Sequence, residues 1–89
     1  MNQSIRQDAI ILIGKNIRQV RMEKNITQDE VTAKLQLKGL PISRAIYSKI
    51  EMGARHIEAS YLEAIRDVLN TTYERLLAHT DEACNSDRY

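Results

Sequence analysis

Two helix-opening signatures lie sixteen residues apart, Thr27-Gln28-Asp29-Glu30 and Ser43-Arg44-Ala45-Ile46, and they constrain this chain more than any other feature. Each places a hydroxyl just ahead of a stretch with helical periodicity, where it can accept from amides that have no partner inside the helix. In the first, Glu30 can reach back to the Thr27 amide, and Ile26 is spaced to pack on Val31. Ile42 and Tyr47 stand in the same relation around Ser43, and the second signature continues as Tyr47-Ser48-Lys49-Ile50-Glu51-Met52-Gly53. Two short helices joined by a connection are predicted over about 27–53.

Periodicity supplies the helices on either side. Ile10, Ile13, Ile17 and Val20 recur at spacings of three and four, giving a first helix that ends near Lys24-Asn25 and carries Lys15, Asn16, Gln19 and Glu23 on its other sides. The second helix buries Val31 and Leu35, and Leu37 or Leu40 closes its end. Gly39 offers a left-handed turn there, and Pro41 prevents continuation. The third turns Ile46 and Ile50 inward, leaves Arg44, Ala45, Ser48, Lys49 and Met52 outside, and ends at Gly53. Ser60-Tyr61-Leu62-Glu63 reads as a capping box for a fourth helix bearing Leu62, Ile65, Val68 and Leu69, with Asn70 as its left-handed stop. Thr71-Thr72-Tyr73-Glu74 repeats the box before Leu76 and Leu77, a short fifth helix. Periodicity is lost after His79, so one domain is expected over 1–79 and a mobile tail over 80–89.

Composition agrees with an all-α domain. Apolar residues are 43% of 89, with no Trp or Phe, one Pro and three Gly, which disfavours sandwiches and barrels that need frequent turns and aromatic or β-branched strands. The longest apolar run, Ala9 to Ile13, is too short for a membrane span and is flanked by Asp8 and Lys15; no cleavage site follows it, and a cytoplasmic protein is expected. A single cysteine, Cys84, cannot form an intrachain disulfide. It reads as a bystander in the tail, with a redox or intermolecular role as the alternative. Two histidines and one cysteine without ligand spacing give no expectation of a metal, and no cofactor is expected. There are no paired carboxylates, no nucleophile with a base and no Gly-rich phosphate loop, so the chain does not read as an enzyme.

Net charge is only +1, but it is unevenly spread. Residues 1–59 hold ten Lys or Arg against six Asp or Glu, and residues 60–89 hold three against six. Ordinary scatter on a solvated surface can produce such a split; so can an anion-binding face on the paired helices. Exposed Arg and Lys on an amphipathic helix are usually no more than its wet side. Here, however, small Ala45 and Ser48 accompany Arg44 and Lys49, a slim profile for a major groove about 12 Å wide, and the helix opens with Arg44 where recognition helices meet base edges.

The stretches Ile13-Gly14-Lys15-Asn16-Ile17-Arg18-Gln19-Val20-Arg21, Ile26-Thr27-Gln28-Asp29-Glu30-Val31, Ser43 to Gly53, and Leu69-Asn70 to Leu77 together resemble the lambda-repressor-like helix-turn-helix family of Cro/CI (XRE) type. The likeness covers roughly residues 10–78. It implies a compact five-helix DNA-binding domain and a transcriptional regulator, with Gln28 near a phosphate and Ser43, Arg44, Ala45 and Lys49 on the recognition helix. It also implies an ion pair between Arg21 and Glu51. The chain departs from the family pattern in two places. Gln36 to Ile42 lengthens the connection between helices 2 and 3, which is expected to extend helix 2 by a turn and lift the connection outward. Tyr47 replaces the usual aliphatic core residue, and its ring fits inside if the hydroxyl reaches solvent or a phosphate.

These readings combine into a homodimer on two-fold symmetric double-stranded DNA, since one recognition helix reads too few base pairs to find a site alone. Arg44, Ala45, Ser48 and Lys49 are expected to face bases; Gln28, Ser43, Lys38, Arg55 and Arg18 are expected to hold phosphates. Tyr73, Leu76 and Leu77 of helix 5 are the expected dimer surface; alternatively Leu76 and Leu77 complete the core, and at least one of the two is expected to be buried there. The rival reading is a protein-interaction module, such as an antitoxin or adaptor on the same fold, with Leu37, Leu40 and Ile42 as an exposed apolar patch for a protein partner.

Overall fold

The computed structural model describes residues 2–78, and their side chains from residue 8 onward. Five helices follow one another: α1 Asn2–Glu23, α2 Gln28–Leu37, α3 Arg44–Met52, α4 Ala59–Leu69 and α5 Tyr73–Leu77. No strand occurs among the described residues. His79, Cys84 and the expected tail lie outside them. No helix among them is long and apolar enough to cross a membrane.

The core collects Ile17 and Val20 from α1, Val31 and Leu35 from α2, Tyr47 and Ile50 from α3, Ile65 and Leu69 from α4, and Leu76 from α5. Helix α1 packs on α3 and α5, while α2 packs on α3 and α4. Gly14 makes the α1–α3 crossing possible, because a Cβ there would stand 2.7 Å from the Glu51 carbonyl oxygen and press on that of Ile50.

The first four helices end in the same way. The amides of Ile26, Leu40, Ala54 and Thr71 reach back five residues to the carbonyls of Arg21, Leu35, Lys49 and Arg66. In each case the residue before the amide has a positive φ: Asn25, Gly39, Gly53 and Asn70. This six-to-one bond satisfies carbonyls left over at a helix end and turns the chain sharply. The starts are equally local. Thr27 and Glu30 form the reciprocal capping box, and Ser43 Oγ accepts from the Ile46 amide.

Several details differ from the sequence reading. Asn16, expected on an outer side of α1, is 4% exposed, since its carboxamide donates to the carbonyls of Leu76 and Ala78 at 2.8 Å each. Ser60 does not cap α4. The helix starts at Ala59, where the Glu58 carbonyl already accepts from the amides of Tyr61 and Leu62. Thr71 does not cap α5 either; its amide is spent on the end of α4, and Thr72 Oγ1 accepts from the Arg75 amide instead. Nor is the connection between α2 and α3 lifted outward. Helix α2 runs on to Leu37, after which Ile42 is buried, Leu40 packs on the core, and Gln36 Nε2 donates to the Ile42 carbonyl at 2.7 Å. Burying two aliphatic side chains outweighs solvating six residues of loop.

Candidate nucleic-acid interface

Helix α3 is positioned by what lies beneath it. Tyr47, Ile50 and Glu51 are buried, so the opposite face is turned outward and presents Arg44, Ala45, Lys49 and Met52 to solvent, with Ser48 half-buried between them. Ser48 Oγ lies 3.9 Å from Met52 Sδ. Ser43 anchors the start of the helix through its cap bond, and Gly53 closes its end at φ 72°.

A polar chain links this face to the interior. Arg21 donates from Nε to Glu51 Oε2 at 2.6 Å and from Nη2 to Oε1 at 3.0 Å, a two-pronged ion pair between α1 and α3. Arg21 Nη1 also donates to the Ile26 carbonyl at 2.8 Å, tying the pair to the turn before α2. Gln28 Nε2 donates to Glu51 Oε1 at 3.0 Å, and Gln28 Oε1 accepts from Arg44 Nε at 3.1 Å. Arg44 Nη1 donates to Asp29 at 3.2 Å. Five side chains from three helices thus join a buried carboxylate to an exposed guanidinium.

The charges in this chain reinforce one another. Burial works to raise Glu51, but its donors, Arg21 foremost, hold the carboxyl below the usual range. The hydrogen bond to Glu51 in turn raises Arg21. Tyr47, fully enclosed, is pushed up by burial and by the neighbouring Glu51 charge. Its hydroxyl makes no hydrogen bond within ordinary distance and angle limits, so the expected route to solvent or a phosphate is absent. The ring is fully enclosed in the hydrophobic core.

The other residues expected at phosphates are scattered. Arg55 leans over the Tyr61 ring at 5.8 Å from its centre and stands 3.9 Å from Glu58. Lys38, on the α2–α3 connection, lies 3.9 Å from Asp67 of α4. Arg18 is exposed on α1 beside a shallow groove shared with Lys15, Gln19 and Met22. Gln28, half-buried, is engaged by Glu51 and Arg44. Asp29 was legible in the sequence only as part of a helix opening. Its role beside Arg44 depends on the packing of α2 on α3, for which the adjacency to Gln28 was the available clue.

The apolar patch on the α2–α3 connection is smaller than expected, whereas on α5 one of the two leucines completes the core, in line with the sequence reading. Ile42 is buried and Leu40 partly so, which leaves Leu37, 86% exposed, as a single residue where a patch was anticipated. On α5, Leu76 is in the core and presents nothing to a second subunit, while Tyr73 and Leu77 remain exposed, Tyr73 beneath the Arg66 guanidinium at 4.6 Å. Among the described residues no group of His, Cys, Asp or Glu is arranged to hold a metal ion.

The helix-turn-helix family profile matches residues 17–76, most of the chain and the whole of this network. No curated protein and no solved structure matches it.

Proposed function

We propose a specific role from the premise that this chain belongs to the lambda-repressor-like helix-turn-helix family, a family of DNA-binding regulatory domains. The role is that of a cytoplasmic, sequence-specific transcriptional regulator of Cro/CI type that binds double-stranded DNA as a homodimer on a two-fold symmetric site. The observation that carries this reading is the open outer face of α3, where Arg44, Ala45 and Lys49 are exposed and no segment among the described residues folds over them. Arg44 and Lys49 read base edges, and Ala45 and Ser48 keep the profile slim enough for the groove. Ser43, Gln28, Lys38, Arg55 and Arg18 are the proposed phosphate contacts, drawn from separate parts of the fold.

Pairing two copies doubles the base pairs read and fixes the spacing of the half-sites at one helical turn or a multiple of it. Tyr73 and Leu77 are the candidates for that contact, since Leu76 is occupied in the core. Selection of bound duplexes from a random pool tests the reading. Enrichment of an inverted repeat, with affinity that falls steeply as salt rises, is the expected result. Recovery of no preferred sequence, or binding indifferent to ionic strength, would overturn it.

A further inference from the structure

Two acceptors of different standing hold Arg44. Gln28 cannot turn away: its Nε2 donates to the buried Glu51 carboxylate, which can only accept, so its oxygen must face Arg44. Asp29 is anchored by nothing comparable. Its side chain is 75% exposed and that of Arg44 59% exposed, across a 3.2 Å ion pair. Lys49, on the same face, carries no counter-charge among the described residues.

We infer that Asp29 is a specificity-determining residue: its negative charge keeps Arg44 aimed across the outer face of α3 and withholds it from the DNA backbone. This rests on the DNA-binding reading above. An arginine at the start of a recognition helix has two ways to meet DNA. It can face a base edge, which carries sequence information, or a phosphate, which carries none. Swinging to a phosphate breaks the contact with Asp29 and leaves that carboxylate uncompensated beside an anionic strand. Facing a base keeps the tether, since Nη2 is engaged by no described residue and stays available to an acceptor in the groove. Asp29 therefore penalises sequence-independent binding more than recognition. So exposed a pair contributes little to folding, and its effect belongs in the ratio of the two affinities.

The full chain, Asp29→Asn and Glu63→Gln are compared, the last removing the same unit of charge from the exposed surface of α4. Each is titrated by fluorescence anisotropy against a random-sequence duplex and against a duplex enriched by the native chain, over a range of NaCl concentrations. Asp29→Asn is expected to bind the random duplex roughly three- to tenfold tighter and the enriched duplex less than about twofold tighter. Its log-affinity against log-salt slope on random DNA should steepen by about one, for one more cation on a phosphate. Equal tightening on both duplexes, or a ratio and slope matching Glu63→Gln, overturns the inference alone. Binding of no duplex by the native chain overturns the DNA-binding reading on which it rests.

Discussion

The Asn16 carboxamide on α1 donates at 2.8 Å to the carbonyl oxygen of Leu76, sixty residues further along the chain. A second bond from the same nitrogen reaches Ala78. Helix α5 has only five residues, too few to hold a helix together by its own hydrogen bonds, so these contacts and the burial of Leu76 keep it in place. Asn16→Leu removes the donor from two carbonyls and is expected to cost about 1–3 kcal/mol. Urea unfolding measures this, and an unchanged midpoint with an unchanged slope would show that solvent replaces the bonds freely.

Gly14→Ala should destabilise the fold. In an exposed helix the same change stabilises by about 0.5–1 kcal/mol. Here the added methyl meets the backbone oxygens of Ile50 and Glu51, and backbone cannot step aside as a flexible side chain does. A lowered melting temperature is the expected sign, and a raised one would mean that α1 and α3 can part without loss.

Glu51→Ala should cost about 3–5 kcal/mol by stranding Arg21, whereas Lys49→Ala, on the solvent face, should cost little. Equal melting temperatures for the two variants would contradict the assignment. The pair also sets a pH dependence. The Glu51 carboxyl is held below its ordinary value of 4.5, so its contribution is fully present above that pH and disappears as pH falls through the lower folded value. Glu51→Gln should therefore flatten the acid limb of a stability profile and leave the profile at neutral pH, well above that ordinary value, parallel to that of the native chain.

Tyr47→Phe and Tyr47→Ala should part company. The hydroxyl lies beside Glu51 and Arg21 but makes no hydrogen bond within ordinary distance and angle limits, so removing it should change stability by less than about 1 kcal/mol. Truncating the enclosed ring to a methyl leaves a cavity in the core and should cost about 3–5 kcal/mol. A large loss in Tyr47→Phe would place a working hydrogen bond between the hydroxyl and Glu51.

On DNA, Arg44→Ala and Arg55→Ala should fail differently. Loss of Arg44 should relax preference at one position of the site, by roughly 1–3 kcal/mol of discrimination. Loss of Arg55 should weaken all sequences alike and reduce the salt slope by about one. Competition titrations with single-base variants of an enriched duplex separate the two, and the reverse pattern would exchange the roles of these residues.

Much of the architecture was determined by the sequence itself, because the signals are local. The Thr27–Glu30 box, the Ser43 cap, the stops at Gly53 and Asn70 and the stripe of Ile17, Val20, Val31, Leu35, Ile50 and Ile65 act over one or two turns of helix, where three to five residues decide the outcome. The start of α5 was ambiguous because two local signals competed. Thr71 and Thr72 both offer a hydroxyl, and only the closing of α4 through the Thr71 amide leaves Thr72 for α5.

Only the tertiary structure decided which polar residues face inward and what each recognition residue touches. Asn16 reads as a surface residue until α5 supplies two carbonyls for it to bind, and Gln36 to Ile42 reads as a loop until its apolar side chains find the core. Arg44 reads as a bare cation until α2 packs on α3 and brings Gln28 and Asp29 within 3.2 Å. Capping and periodicity depend on neighbours in the chain, whereas burial of a polar group and pairing of a charge depend on neighbours in space.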